Sequence, residues 1–390
     1  MKTIYLDHAA TTPVRQEVLD AMLPYFSEIF GNASSIHLGG QRARKALENA
    51  RRVITGCIGA DLNEVFFTSG GTESDNLAIK GVAHANKTKG VHLITTKIEH
   101  HAVLNCCKSL EKEGFEITYL PVDQSCIVLL PALEEAIRPD TVLISVMLAN
   151  NETGTLQPVS EIAAIARKRG VLFHTDAVQA VGKIPVKVNE LGIDLLSISG
   201  HKIYGPKGIG ALYIRKGTRI SPLLHGGHHE RQMRAGTENI PAIVGLAKAL
   251  ELAQAELPST IKHLTGLRDR LEQGIREKIS HVYINGHPIQ KLPNILNVSF
   301  EFIDGERLLI DLDTRGIAVS TGSACTVGAT QPSHVLQAMG LKPTLVQGSI
   351  RFSLGRENTE SEIDFVIDSL VEIVSQLRKA NLQYVRGSRN

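Results

Sequence analysis

The sequence predicts an α/β protein with a mostly parallel sheet covered on both faces. Two observations carry that reading. Short β-branched or apolar runs recur at 64–68, 91–95, 115–121, 142–147, 172–175, 195–199 and 210–214, and helical patterns separate them. The stretch 160–169, for instance, has apolar residues at 162, 165 and 166 and basic residues at its end. Strands alternating with helices build a parallel sheet, whose ligands sit beyond the carboxyl ends of the strands. Most of the polar motifs described below follow directly after one of these runs, which puts them on one rim.

After Ile240-Pro241 the texture changes. A long helical stretch over roughly 241–280 leads into a second strand group that includes 294–300 and 317–320. A final helix over 359–380 carries apolar residues at 363, 366, 367, 370, 371, 374 and 377, an i, i+3, i+4, i+7 stripe. The expected organisation is a large α/β domain over 16–258 and a smaller α+β domain made of 1–15 and 259–390. No internal repeat or low-complexity segment is visible.

With 390 residues, 43% of them hydrophobic, the chain can bury a sizeable core. Its 42 Lys+Arg against 40 Asp+Glu argue against an electrostatic nucleic-acid binder. The mildly basic end, 378–389, reads as a solvated tail. Five cysteines at irregular spacing, with no CxxC pair, do not make a disulfide framework or a structural zinc site. The N-terminus reaches Asp7 and His8 too soon for a signal peptide, and no apolar run approaches the roughly 18 residues of a membrane span. A cytoplasmic protein without a membrane partner is expected.

Four motifs carry candidate chemistry. Ser197-Ile198-Ser199-Gly200-His201-Lys202 runs from a strand end into a Gly-rich turn. A lysine beside hydroxyl and imidazole donors suits a site where an amine bonds an aldehyde while its neighbours hold a phosphate. The plain alternative is a surface lysine in a loop. Thr68-Ser69-Gly70-Gly71-Thr72-Glu73-Ser74-Asp75-Asn76 joins a strand to a helix, and its Thr72…Asp75 spacing fits a capping box. The N–H groups of such a helix start bind phosphate, although a simple capped helix would read the same way.

The third motif is Phe173-His174-Thr175-Asp176-Ala177-Val178-Gln179, again at a strand end. A carboxylate there can keep a pyridine nitrogen protonated, and an ordinary cap is the competing reading. In the fourth, Glu99-His100-His101, an imidazole can stack on a ring and move protons near neutral pH. Metal binding with Cys106 and Cys107, or a neutral capping histidine, competes.

Taken together, these residues resemble the cysteine desulfurases of the NifS/IscS kind. The resemblance rests on Tyr5-Leu6-Asp7-His8-Ala9-Ala10-Thr11-Thr12, Ala149-Asn150-Asn151-Glu152-Thr153-Gly154, His174-Thr175-Asp176-Ala177 and Ser199-Gly200-His201-Lys202. It continues through Arg234-Ala235-Gly236-Thr237-Glu238-Asn239, Gly322-Ser323-Ala324-Cys325 and Ile350-Arg351-Phe352-Ser353, in collinear order over almost the whole chain. It implies fold type I of the pyridoxal-phosphate enzymes, the class-V aminotransferase architecture, and an obligate homodimer with shared active sites.

The resemblance also implies roles. Lys202 would bond the cofactor aldehyde, Asp176 would pair with the ring nitrogen, Gln179 would bond the ring hydroxyl and His100 would stack on the ring. Gly71, Thr72, Ser199 and His201 would hold the phosphate, joined by Thr237 from the other subunit. Asn151 would contact cofactor and substrate, and Arg351 would pair with the carboxylate of the substrate, L-cysteine, a role that suits a guanidinium fork. Cys325, in a loop of small residues, would accept the sulfur as a persulfide and pass it to an acceptor or iron–sulfur scaffold protein. Thiolate attack needs a base for the thiol proton, with His100 the candidate. No intrinsic metal is implied; a Cys325 persulfide would touch a cluster only in passing.

The other cysteines, Cys57, Cys106, Cys107 and Cys126, read as small hydrophobes. Three alternatives remain at this stage: a selenocysteine lyase, an ordinary aminotransferase for which Cys325 is dispensable, and a scaffold that binds sulfur acceptors. The chain ends at Asn390, where the housekeeping IscS proteins usually continue through a tail that helps dock their scaffold protein, a departure that puts that particular partnership in doubt.

Overall fold

A computed structural model describes residues 3–321 and 332–381, so the predicted sulfur acceptor Cys325 lies outside the described residues. The chain opens on a two-residue strand, β1 (Ile4–Tyr5). Seven strands then form the main sheet: β2 (Val65–Thr68), β3 (His92–Thr96), β4 (Glu116–Leu120), β5 (Thr141–Ser145), β6 (Leu172–Asp176), β7 (Leu195–Ser199) and β8 (Gly210–Ile214). Their order is β2-β8-β7-β6-β5-β3-β4. All neighbours are parallel except β8, which runs antiparallel to both β7 and β2. Every residue of β5 and β7 is buried, as expected of strands covered on both faces, whereas the edge strand β4 stays half-exposed. The sheet is the one the seven apolar runs predict.

Apolar clusters pack on both faces. One joins Ile144, Phe173 and Ile198 to Leu47, Ile54, Ile162 and Leu246 of the covering helices. Another joins Leu143 and Leu212 to Leu77, Val82, Val103 and Leu110. Each fully buried Leu or Ile contributes roughly 2 kcal/mol to holding these layers together.

The rest of the chain builds smaller sheets: β9 (Val282–Asn285), β10 (Ile295–Phe300) and β12 (Ser349–Ser353) are antiparallel in the order β12-β10-β9, and β11 (Ile317–Ala318) pairs with β1. Leu6 joins Leu271, Phe300, Leu312, Phe352 and Leu370 in a third apolar cluster. The long helix expected over 241–280 is two helices, Ile240–Ala255 and Leu257–Lys278, because Pro258 cannot donate within a continuous helix and starts a new one instead. The final helix, Glu360–Ala380, has a complete capping box between Thr359 and Glu362.

β2, β3, β5, β6 and β7 all end on one rim. At or just beyond those ends lie Gly71, His100, Asn151, Asp176 and Lys202. Gly210 lets two of these loops meet, since a Cβ there would lie 2.7 Å from the Gly70 Cα.

Candidate active site

A cavity of about 270 Å³ opens on that rim. Gly71, Thr72, His100, Asn151, Asp176, Gln179, Ser199, His201, Lys202 and Arg351 all line it, so the structure brings together every sequence-predicted site residue except Thr237 and Cys325. Thr237 is exposed in the loop before the Ile240–Ala255 helix and does not line the cavity of its own chain.

Lys202 ends a short 3₁₀ turn after β7, and its Nζ donates to the carbonyl oxygens of Ala9 (2.6 Å) and Ala10 (2.7 Å). The N-terminal segment thus forms one wall of the site. Asp176, the last residue of β6, is buried and accepts the Val178 N–H at 2.9 Å. Burial raises its carboxyl above the ordinary range, and Lys202 draws it back down.

The helix Gly71–Ala85 aims its N-terminus at the cavity. Gly71 is required by the close approach of β6's loop, because a Cβ would meet Val178 Cγ2 at 2.8 Å. The capping box expected from Thr72 and Asp75 does not form: Gly70 is the N-cap and makes no side-chain bond. Glu73 instead accepts the Ser69 N–H at 2.8 Å and pairs with Arg234 at 2.9 Å, which ties the loop carrying Thr237 to this helix start. The N–H groups of the first turn are therefore left for an anion. Ser199 and His201 stand beside them, with His201 Nδ1 3.1 Å from Thr11 Oγ1. Burial and the nearby Lys202 depress the His201 pKa to about 4, leaving a neutral imidazole.

His100 caps the His101–Lys112 helix, its Nδ1 accepting the Ala102 N–H at 3.1 Å. Burial and Lys202 lower its pKa to about 4. The neutral ring therefore carries its proton on Nε2. Arg351, from β12, is buried; its Nη1 donates to the Asn151 carbonyl at 3.0 Å and its Nη2 to Asp7 Oδ1 at 2.8 Å. Asn150 shapes that loop by accepting the Glu152 and Thr153 N–H groups, both at 2.9 Å.

The metal reading of His100 and His101 has no support: among the described residues no group of three or more His, Cys, Asp or Glu could hold an ion. Cys106 and Cys107 are buried among Val103 and Leu110, and burial pushes the Cys106 thiol up to about 12. Cys126 is buried as well, while Cys57 is half-buried.

Sequence reasoning missed three groups. Asp75 lines the cavity, and among the described residues its buried Oδ1 has no hydrogen-bond partner, with His174 Nε2 3.7 Å away; it stands one turn after Gly71, a spacing that could have revealed it. Asp7 holds Arg351, and Lys183 donates to Gln179 Oε1 at 3.0 Å.

The donor set fits pyridoxal phosphate: an amine, a buried carboxylate, an imidazole and a helix N-terminus converge on one cavity. The aminotransferase class-V model matches residues 4–366. The chain belongs to the class-V aminotransferase family. This family uses pyridoxal phosphate as its cofactor.

Among its relatives, this class-V protein is 56% identical to the cysteine desulfurase IscS of Methanosarcina thermophila, over 97% of this chain and 93% of that one. It is 55% identical to the cysteine desulfurase IscS of Dictyoglomus turgidum, over 97% and 96%. Among solved structures, a NifS-like protein superposes with a TM-score of 0.90 at 42% identity, covering 96% of this chain and 99% of that one. SspA in complex with cysteine superposes with a TM-score of 0.81 at 40% identity, covering 90% and 99%.

Proposed function

We propose that this class-V aminotransferase is a cysteine desulfurase that converts L-cysteine to L-alanine and moves the sulfur onto Cys325, supplying sulfur for iron–sulfur clusters. The relatives named above support the activity. The observation that carries the residue roles is the convergence of Lys202, Asp176, His100 and Arg351 on one cavity.

Pyridoxal phosphate supplies an electrophilic carbonyl carbon and a ring that accepts an electron pair from the substrate. Lys202 would hold the cofactor through its Nζ and would serve as the base for the substrate α-proton. Asp176 keeps the ring nitrogen protonated. Gln179 would bond the ring oxygen and His100 would stack on the ring. The N–H groups of Gly71 and Thr72, with Ser199 and His201, grip the phosphate, and Thr237 from a second copy completes the grip. Asn151 contacts cofactor and substrate, and Arg351 orients the substrate carboxylate.

Cys325 then attacks as the thiolate. An S–S bond forms to the substrate Sγ, and the Cβ–Sγ bond breaks with its electron pair staying on carbon. Protonation of that carbon completes alanine. His100 holds a proton at Nε2 and would donate it; it would accept the Cys325 proton at that atom only after giving the first one up. An acceptor or scaffold protein takes the sulfur from the persulfide. Among the described residues no helix is long and apolar enough to cross a membrane, and we place the protein in the cytoplasm.

The test is to give the purified, cofactor-loaded protein L-cysteine and a reducing thiol. Alanine and sulfide in equal amounts are expected, with no keto acid required. A keto-acid requirement would make it an ordinary aminotransferase.

A further inference from the structure

Lys183 is a buried cation that the reaction as described does not use. Only 7% of it is exposed, and among the described residues no carboxylate lies within ion-pairing distance. Its Nζ donates to Gln179 Oε1 at 3.0 Å. An ammonium has three donors and no acceptor, so the Gln179 atom facing it must be the oxygen. That fixes the amide: Gln179 Nε2 points the other way, donates to the Ala9 carbonyl at 2.9 Å, and faces the cavity. Its second N–H is left for a ligand. The same Ala9 carbonyl receives Lys202, so the two lysines and Gln179 form one connected group.

We propose that Lys183 is a positioning residue that acts through Gln179 on the 3-oxygen of pyridoxal phosphate, orienting the Gln179 amide and supplying the counter-charge for that oxygen's negative charge. This rests on Gln179 facing the ring oxygen, as assigned above. The physical reason is the cost of a buried cation without an anion, which a bound phenolate relieves. The other charged or titratable groups facing Lys183 are Lys202 and His201 from the turn after β7, His8 from the N-terminal segment and Arg351 from β12. Glu256, in the cavity on the far side of Lys183, is taken by Arg15 at 2.7 Å. Arg351 is taken by Asp7. Burial, with Lys202 and Arg351 next in weight, depresses Lys183 to about 7, and an anion beside it would hold its proton on.

The test reads the acid–base transition of the yellow chromophore in cofactor-loaded protein by absorbance. A nearby positive charge favours loss of the proton on the Lys202 nitrogen. K183Q keeps a hydrogen-bond donor for Gln179 and removes the charge, so its transition should rise by about one pH unit. K183R keeps the charge and should leave the transition where the wild type has it. An unchanged transition in loaded K183Q overturns the proposal. If K183Q does not hold the cofactor, K183R decides: a transition at the wild-type position supports the charge, and an upward displacement overturns it. Failure of both variants to fold assigns Lys183 to packing and overturns it too. The wild-type chromophore reports separately on the cofactor site itself, since its absence would fault the Lys202 assignment and not the Lys183 one.

Discussion

Asp7 and Arg351 meet across 344 residues of sequence, with Asp7 Oδ1 2.8 Å from Arg351 Nη2. Arg351 is buried and its Nε has no hydrogen-bond partner among the described residues, so Asp7 and the Asn151 carbonyl hold its fork at the cavity. A buried charge stripped of its partner is strongly destabilising, and Asp7 is about a fifth exposed, which weakens the effect. Asp7→Ala should therefore cost about 2 kcal/mol in denaturant unfolding. Asp7→Asn, whose amide oxygen still accepts, should cost less than half of that. Equal stability of all three proteins would mean that the pair does not fix Arg351.

Glu99 gives the fold a pH dependence. Its carboxyl is buried and accepts from Thr96 Oγ1 (2.7 Å) and the Met147 N–H (3.0 Å), and its second oxygen has no hydrogen-bond partner among the described residues. Burial pushes its pKa up to about 8, although those two bonds oppose the shift. A carboxyl raised in the folded state contributes stability that is complete below its unfolded pKa and is lost as pH rises through the folded value. The loss therefore spans pH 4.5 to about 8. Thermal unfolding of the loaded protein should show the wild type falling relative to Glu99→Gln across that window. Parallel profiles would count against a protonated Glu99.

Much of this was legible in the sequence, and the parts that were not share a cause. The runs at 195–199 and 142–147 read as strands because a doubly covered strand is apolar throughout. Lys202, Asp176 and His100 were legible because each follows such a run. The break at Pro258 was visible in principle, yet the apolar stripe on either side hid it. The Thr72 capping box failed because Arg234, distant in sequence, holds Glu73 over the Ser69 N–H. Asp7–Arg351 and Lys183–Gln179 leave no periodic mark: one joins the chain's two ends and the other lies in a loop. Pairings of that kind appear only once the chain is folded.

The proposed sharing of the site between two copies has its own test. Thr237 is exposed in its own chain, while Arg234 ties its loop to the helix start at the cavity. Mixing Thr237→Ala chains with Lys202→Ala chains gives heterodimers in which one site has both residues and the other has neither. Cofactor retention and alanine production should recover in the mixture above the level of either parent. No recovery would place Thr237 outside the partner's site.

The persulfide itself is the most direct measurement. The loaded protein is treated with L-cysteine without a reducing thiol, quenched, digested and weighed by mass spectrometry. The Cys325 peptide should gain the mass of one sulfur atom as alanine appears. Cys325→Ala should stay yellow and change its spectrum with cysteine, yet yield no more than trace alanine. Undiminished alanine from Cys325→Ala, or sulfur found on Cys57 or Cys106 in its place, would contradict the account.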